Sequence, residues 1–175
     1  MKRILALLLV LMLAGIPCAA EEDLFVWDVP IVEFACEEFS VVLPDGMRLL
    51  DAEEMEGVSM AAMADTDAEE ASIACIACSD EDERCVSISA VQWEDGAGEM
   101  ALALAEAMMQ IEGAEVSEAV YMPLERYDAA VYTILLEEML YTQAVLADDA
   151  LCLIVTCTGM DALELQEMLE TVTLF

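Results

Sequence analysis

Histidine and asparagine are absent from this 175-residue chain, and its one lysine is Lys2. A Ser-His-Asp or Cys-His arrangement cannot be built in one chain without imidazole, nor a Schiff base or Walker loop without a later lysine. Imidazole metal ligation and Asn-linked glycosylation are excluded by the same absences. Positive charge is nearly missing too, with five basic residues against 37 acidic ones. Beyond residue 20 only Arg48, Arg84 and Arg126 carry it, too few and too scattered for a phosphate clamp. Long apolar runs are lacking after the leader: residues 100–105 and 151–155 are short and flanked by acids, so no membrane span is expected.

What is present starts with a leader. Lys2 and Arg3 precede an apolar run over residues 4–16 and a Cys18-Ala19-Ala20 end, the three regions of a secretory signal peptide over residues 1–20. Ile16-Pro17 before Cys18 do not suit a lipid-anchoring box, so a released, secreted, extracytoplasmic chain from Glu21 is expected. Its formal charge would be −34, from three arginines and 37 carboxylates. That charge argues against nucleic acid and anionic membranes as partners. Smeared over a sphere of roughly 20 Å radius, it carries a self-repulsion on the order of 30 kcal/mol at physiological salt, against about a third of that in an expanded chain. The difference exceeds the ~5–15 kcal/mol net stability of typical domains, so raised carboxylate pKa values, bound cations, or both are expected to relieve it.

One domain follows an N-terminal arm, residues 21–33, that carries Trp27 and Pro30. Phe39-Ser40-Val41-Val42-Leu43 is β-rich and stops at Pro44-Asp45-Gly46, with a short strand resuming over residues 47–50. Residues 51–70 are acidic and rich in Met and Ala, a short helix plus loop or a mobile insertion. Strands over 71–78 and 85–93 flank an acidic turn. Pairing Cys78 with Cys85 puts Ile73, Cys75, Ala77, Val86, Ile88 and Ala90 on an apolar core face, and Cys78, Cys85, Ser87 and Ser89 on the other. Met100, Leu104, Met108 and Ile111 recur at helical spacing over residues 97–112, ahead of Gly113. A strand over 115–122 ends at Pro123. A meander over 129–136, 139–146 and 151–157 is joined at Glu137-Glu138 and Asp148-Asp149, connections of hairpin length without glycine. A last helix, 161–171, aligns Ala162, Leu165, Met168, Leu169 and Val172.

This order predicts an α+β domain with a single twisted antiparallel sheet and helices packed on it. The strand Phe39-Ser40-Val41-Val42-Leu43 entering Pro44-Asp45-Gly46, the hairpin before the central helix, the meander and the closing Leu165-Gln166-Glu167-Met168-Leu169-Glu170-Thr171-Val172 resemble the PsbP-like fold family. That family includes Ran-binding import factors and small exported bacterial proteins. The resemblance spans residues 34–175 and implies an α/β/α sandwich and a non-enzymatic binding or assembly module. It carries over no binding residue, since this chain lacks the His and Lys on which family sites draw, and residues 51–70 have no counterpart in it.

Six cysteines follow the leader: Cys36, Cys75, Cys78, Cys85, Cys152 and Cys157. An even number in an exported chain suggests disulfides, and Cys78 with Cys85 is the candidate because the hairpin sets them opposite each other. Cys75 and Cys157 fit the alternation of small core residues. Cys75-Ile76-Ala77-Cys78 has redox or zinc spacing, yet it lies among carboxylates on a strand that points its thiols to opposite faces.

The clusters over 65–70 and 80–83 offer oxygen ligands for calcium, but neither has the Gly and Glu positions of an EF-hand loop. They read as solvated loop charge, with weak divalent-cation association as the alternative. Paired carboxylates for glycoside hydrolysis are guaranteed by composition alone, and aromatic sugar platforms are scarce. Met100 and Met108 read as core, which leaves little for copper. No catalytic, cofactor-binding or metal-ligating residues are therefore assigned. The expected function is non-catalytic binding of a protein or cell-surface component; the alternative is an acidic, exported binder of calcium or another divalent cation.

Overall fold

A computed structural model describes residues 31–51, 53–55, 73–93, 96–148 and 151–175. The leader and most of the arm, most of residues 51–70, and the Asp149 half of the last hairpin connection lie outside the described residues. Among the described residues there are two sheets, which corrects the single sheet expected from the sequence. β1 (Glu33–Ala35), β2 (Phe39–Val42) and β11 (Thr173–Leu174) make a three-stranded sheet in the order β1-β2-β11. β3 (Met47–Leu49), β4 (Ile73–Ser79), β5 (Cys85–Gln92), β6 (Glu115–Val116), β7 (Val120–Pro123), β8 (Asp128–Leu136), β9 (Met139–Asp148) and β10 (Leu151–Thr158) make the eight-stranded one, ordered β3-β4-β5-β10-β9-β8-β6 with β7 also on β8. The β-rich run at Phe39 is a strand, as its composition dictates. Its partners are the chain's last residues and the end of the arm, which no local pattern announces.

Helices α1 (Ala97–Met108) and α2 (Ala162–Glu170) serve opposite faces of the large sheet. Val86, Ile88, Leu153, Val155, Ala144 and Leu146 face one way, because paired residues share a face and alternate along each strand. There they meet Leu165, Met168 and Leu169 of α2 and Phe39 and Val41 of the small sheet. Met100, Leu104 and Met108 of α1 pack on the other face against Ala130, Tyr132, Ile134, Val145 and Ile154. A buried polar row crosses that second face: Tyr132 donates to Gln143 Oε1, and Gln143 Nε2 donates to Thr156 Oγ1 at 2.7 Å. A buried glutamine is stable there because its amide is bonded from both sides.

Local chemistry explains several departures from the simple pattern. The β4–β5 register shifts between Ile73 and Cys75. The shift turns Ile73 away from the predicted core face, to pack with Ile76, Cys78 and Cys85. The strand over 115–122 is broken into β6 and β7, because the Ser117 hydroxyl accepts the β8 N–H of Thr133 at 2.9 Å. Helix α1 ends at Met108 rather than Glu112, in turns that bond Gln110 N to Ala107 O and Ile111 N to Met108 O. Ala162 is exposed, so it does not belong to the apolar stripe of α2. Asp161 caps that helix, accepting from Leu163 N and Glu164 N while the Glu164 carboxylate accepts from Asp161 N.

The β8–β9 connection is the two-residue turn its length predicts, with Glu137 at φ 51° and Glu138 at φ 70°. Two successive left-handed residues suit Asn-Gly, and a side chain with a Cβ costs roughly 1–2 kcal/mol in that region. Glu138→Gly is expected to stabilise the chain by about 1 kcal/mol in urea unfolding, and Glu137→Asn by less. Loss of stability in Glu138→Gly would mean that the carboxylate holds a contact worth more than the strain.

Candidate functional site

The β4–β5 turn, the β8–β9 turn and the loop from β10 to α2 converge at one end of the large sheet around a cavity of about 560 Å³. Its apolar lining comes from Met139, Leu140 and Met160, its charged lining from Asp82, Glu83, Glu138 and Arg84, and Cys78, Cys85 and Cys157 line it as well. Met139 and Leu140 are exposed at 40% and 59%, beside Leu135 at 38% on the paired strand, so the lining continues onto an apolar surface. Close backbone approach fixes the loop: a Cβ at Gly159 would lie 3.0 Å from Glu83 O, and Gly159 takes φ +69°. Thr158 Oγ1 donates to the same carbonyl at 3.3 Å.

Two of the three arginines hold this end of the molecule together. Arg84 bonds Asp82 within its own turn, Glu164 of α2 at 3.0 Å and the Asp45 carbonyl at 3.1 Å. Arg48 on β3 pairs with Glu54 at 3.0 Å and Asp80 at 3.1 Å. Charge scattered in sequence is thus gathered in space, because β3, the β4–β5 turn and the start of α2 meet here. The Arg48 and Arg84 guanidiniums hold the Glu54 and Asp82 carboxyls, respectively, below the ordinary carboxylate range, through hydrogen bonds first. Carboxyls with depressed folded values add stability above their unfolded values near 4 and lose it as pH falls through the folded ones. Both pairs are solvent-accessible, so each contributes little.

The cysteines divide by face. Cys75 and Cys157 lie in the core shared with α2, and Cys152 lies in the α1 core. Burial pushes Cys75 and Cys157 up to about 12 and Cys152 up to about 11. Cys36 is half-buried beside the small sheet. Cys78 and Cys85 stand opposite each other as the register predicts, with Sγ atoms 2.8 Å apart. The Cys78 thiol is drawn below its ordinary value, first by the hydrogen bond with Cys85 and then by Arg48, against burial and the charges of Asp80 and Glu54. The carboxylates of Asp80 and Glu54 act to raise this thiol, and the hydrogen bond with Cys85 outweighs them.

The fold is similar to the solution structure of cyanobacterial PsbP (CyanoP) from Synechocystis sp. PCC 6803, with a TM-score of 0.55 and 9% identity over 89% of this chain and 98% of that one. The fold is PsbP-like. A crystal structure from Bacteroides thetaiotaomicron VPI-5482 aligns with a TM-score of 0.45 and 14% identity over 78% of this chain and 45% of that one. No protein-family model and no curated protein matches the sequence. At such identity the PsbP likeness is one of fold and transfers no residue role.

Other sequence candidates resolve as follows. The 80–83 cluster forms the β4–β5 turn, and two of its carboxylates face arginines. The 65–70 cluster lies outside the described residues. Met100 and Met108 are core. Among the described residues no cluster of three His, Cys, Asp or Glu side chains has metal-binding geometry, and no helix is long and apolar enough to cross a membrane. The sequence reading missed Met139, Leu140 and Met160 as cavity walls. Their one signal was apolar residues flanking turns, and strand composition already accounted for it.

Proposed function

We propose that this PsbP-like chain is an exported, non-catalytic binding or assembly module whose partner seats at the cavity end of the large sheet. The observation that supports this reading is the mixed lining: exposed Met139 and Leu140 within a rim of Asp82, Glu83 and Glu138. An apolar floor inside an acidic rim suits a basic protein segment that offers an apolar anchor beside Lys or Arg. The missing His and Lys, and the engagement of Asp80 and Asp82 by arginines, speak for binding rather than catalysis.

The test is a titration of the mature chain, followed by amide NMR, with a cationic peptide carrying Leu and Trp and with its Lys-to-Glu counterpart. The cationic peptide is expected to perturb residues 138–142 and 158–160, and to bind at least ~10-fold more weakly to Leu140→Glu. Equal binding of both peptides, or perturbation elsewhere, would overturn the reading. Thermal unfolding in chelator, calcium, magnesium and zinc, against sodium chloride at matched ionic strength, addresses the alternative. A saturable, metal-specific rise would return the acidic cation binder.

A further inference from the structure

We propose that Cys78 and Cys85 are a selective thiol–disulfide pair, in which Cys78 attacks a small cationic disulfide entering the cavity and Cys85 then closes a cross-strand bridge. Ser79 N donates to Arg84 O at 2.9 Å, which makes Ser79/Arg84 a hydrogen-bonded pair and the adjacent Cys78/Cys85 a non-hydrogen-bonded one. Such pairs set their Cα atoms about 4.5 Å apart, inside the roughly 4.4–6.8 Å that a disulfide spans. The sulfurs, already 2.8 Å apart, need only a small side-chain adjustment. Both residues line the cavity, at 5% and 9% exposure.

Selectivity follows from the surroundings of the other thiols. Burial raises Cys75, Cys152 and Cys157, which disfavours their thiolates, and the half-buried Cys36 donates to Phe39 O at 3.6 Å beside the small sheet, away from the cavity lining. Arg48 on β3 stands directly opposite Cys78 in the strand register, and its guanidinium favours the Cys78 thiolate, so Cys78 supplies the attacking group. In the first step its sulfur bonds to one sulfur of the reagent, whose S–S bond breaks and releases a thiolate. In the second, Cys85 Sγ attacks the Cys78 sulfur, loses its proton to solvent, and expels the second thiolate. The protein pair gives up two protons and two electrons, and the reagent disulfide takes up the electrons. Arg84 in the lining offsets Asp82, which leaves Glu83 and Glu138 to favour a cationic reagent over an anionic one.

The reduced mature chain is exposed to cystamine or to oxidised glutathione, quenched with an alkylating agent, unfolded and mapped by mass. Cystamine is expected to remove two alkylatable thiols, with a mass loss of about 2 Da, and to link the peptides either side of Arg84. Cys75→Ala keeps the link and Cys78→Ala abolishes it. Cys85→Ala is expected to trap the aminothiol on Cys78, whereas Cys78→Ala leaves Cys85 with little adduct. Cystamine is expected to react at least ~10-fold faster than oxidised glutathione at low salt, the gap narrowing as salt screens the rim. Loss of more than two thiols, a link through another cysteine, no link in the unsubstituted chain, or equal trapping on Cys85 would each overturn the proposal.

Discussion

Raising sodium chloride from about 10 mM to about 1 M is expected to increase the melting temperature of the chain by roughly 10 °C or more. The Debye length falls from about 30 Å to about 3 Å over that range, so carboxylates across the domain stop repelling one another. A formal charge of −32 is denser in the folded chain than in the unfolded one, so screening stabilises the folded state more. For a domain of this size each kcal/mol moves the midpoint by ~2–4 °C, so a relief of several kcal/mol is readily measured. The five basic residues are too few to mute the effect, and two are already committed to local pairs. Acidification acts the other way at Glu54 and Asp82: hydrogen bonds from Arg48 and Arg84 hold their folded values low, so the stability they add is lost as pH falls through those values. Calorimetry over salt and pH gives the answer, and a midpoint flat in salt would show that the charge is neutralised by something other than screening.

Phe39→Ala is expected to cost about 3–5 kcal/mol and to lower the midpoint by roughly 10 °C, without splitting the transition in two. Phe39 is 0% exposed and belongs to the cluster in which the small sheet, α2 and one face of the large sheet meet. Its ring also lies 5.5 Å from that of Phe34 on the adjoining strand. Truncating it leaves a void bounded by all three layers, which cannot collapse without moving a sheet. Phe175→Ala is the matched control: the same side chain, 72% exposed at the end of the chain, should change stability by under ~0.5 kcal/mol. Chemical unfolding of both variants tests the shared core. Two separate transitions, or a cost at Phe39 no greater than at Phe175, would mean that the small sheet folds apart from the large one.

Elements whose signal lies within a few neighbours were legible. Alternation over 73–79 and 85–92, the helical recurrence of Met100, Leu104 and Met108, the two-residue turn at Glu137-Glu138 and the opposition of Cys78 and Cys85 all follow from backbone period and chain connectivity. The PsbP-like order of elements was legible for the same reason. The register shift at Ile73 was not, because a single extra residue changes a face without changing composition. Nor was the pairing of Leu174 with Phe39, which joins opposite ends of the domain through backbone hydrogen bonds that any sequence can make.

The sequence by itself determined what chemistry this protein lacks, the sign and size of its charge, and which residues alternate toward a core. Composition and period are local quantities and need no coordinates. Only the tertiary structure decided that the strands divide between two sheets, that Arg48 and Arg84 gather acids from distant segments, and that three turns enclose Cys78 and Cys85 in one cavity. Each is a meeting of residues far apart in the chain. Such meetings are selected by how layers bury their apolar faces together, a free energy that belongs to the assembled core rather than to any one segment.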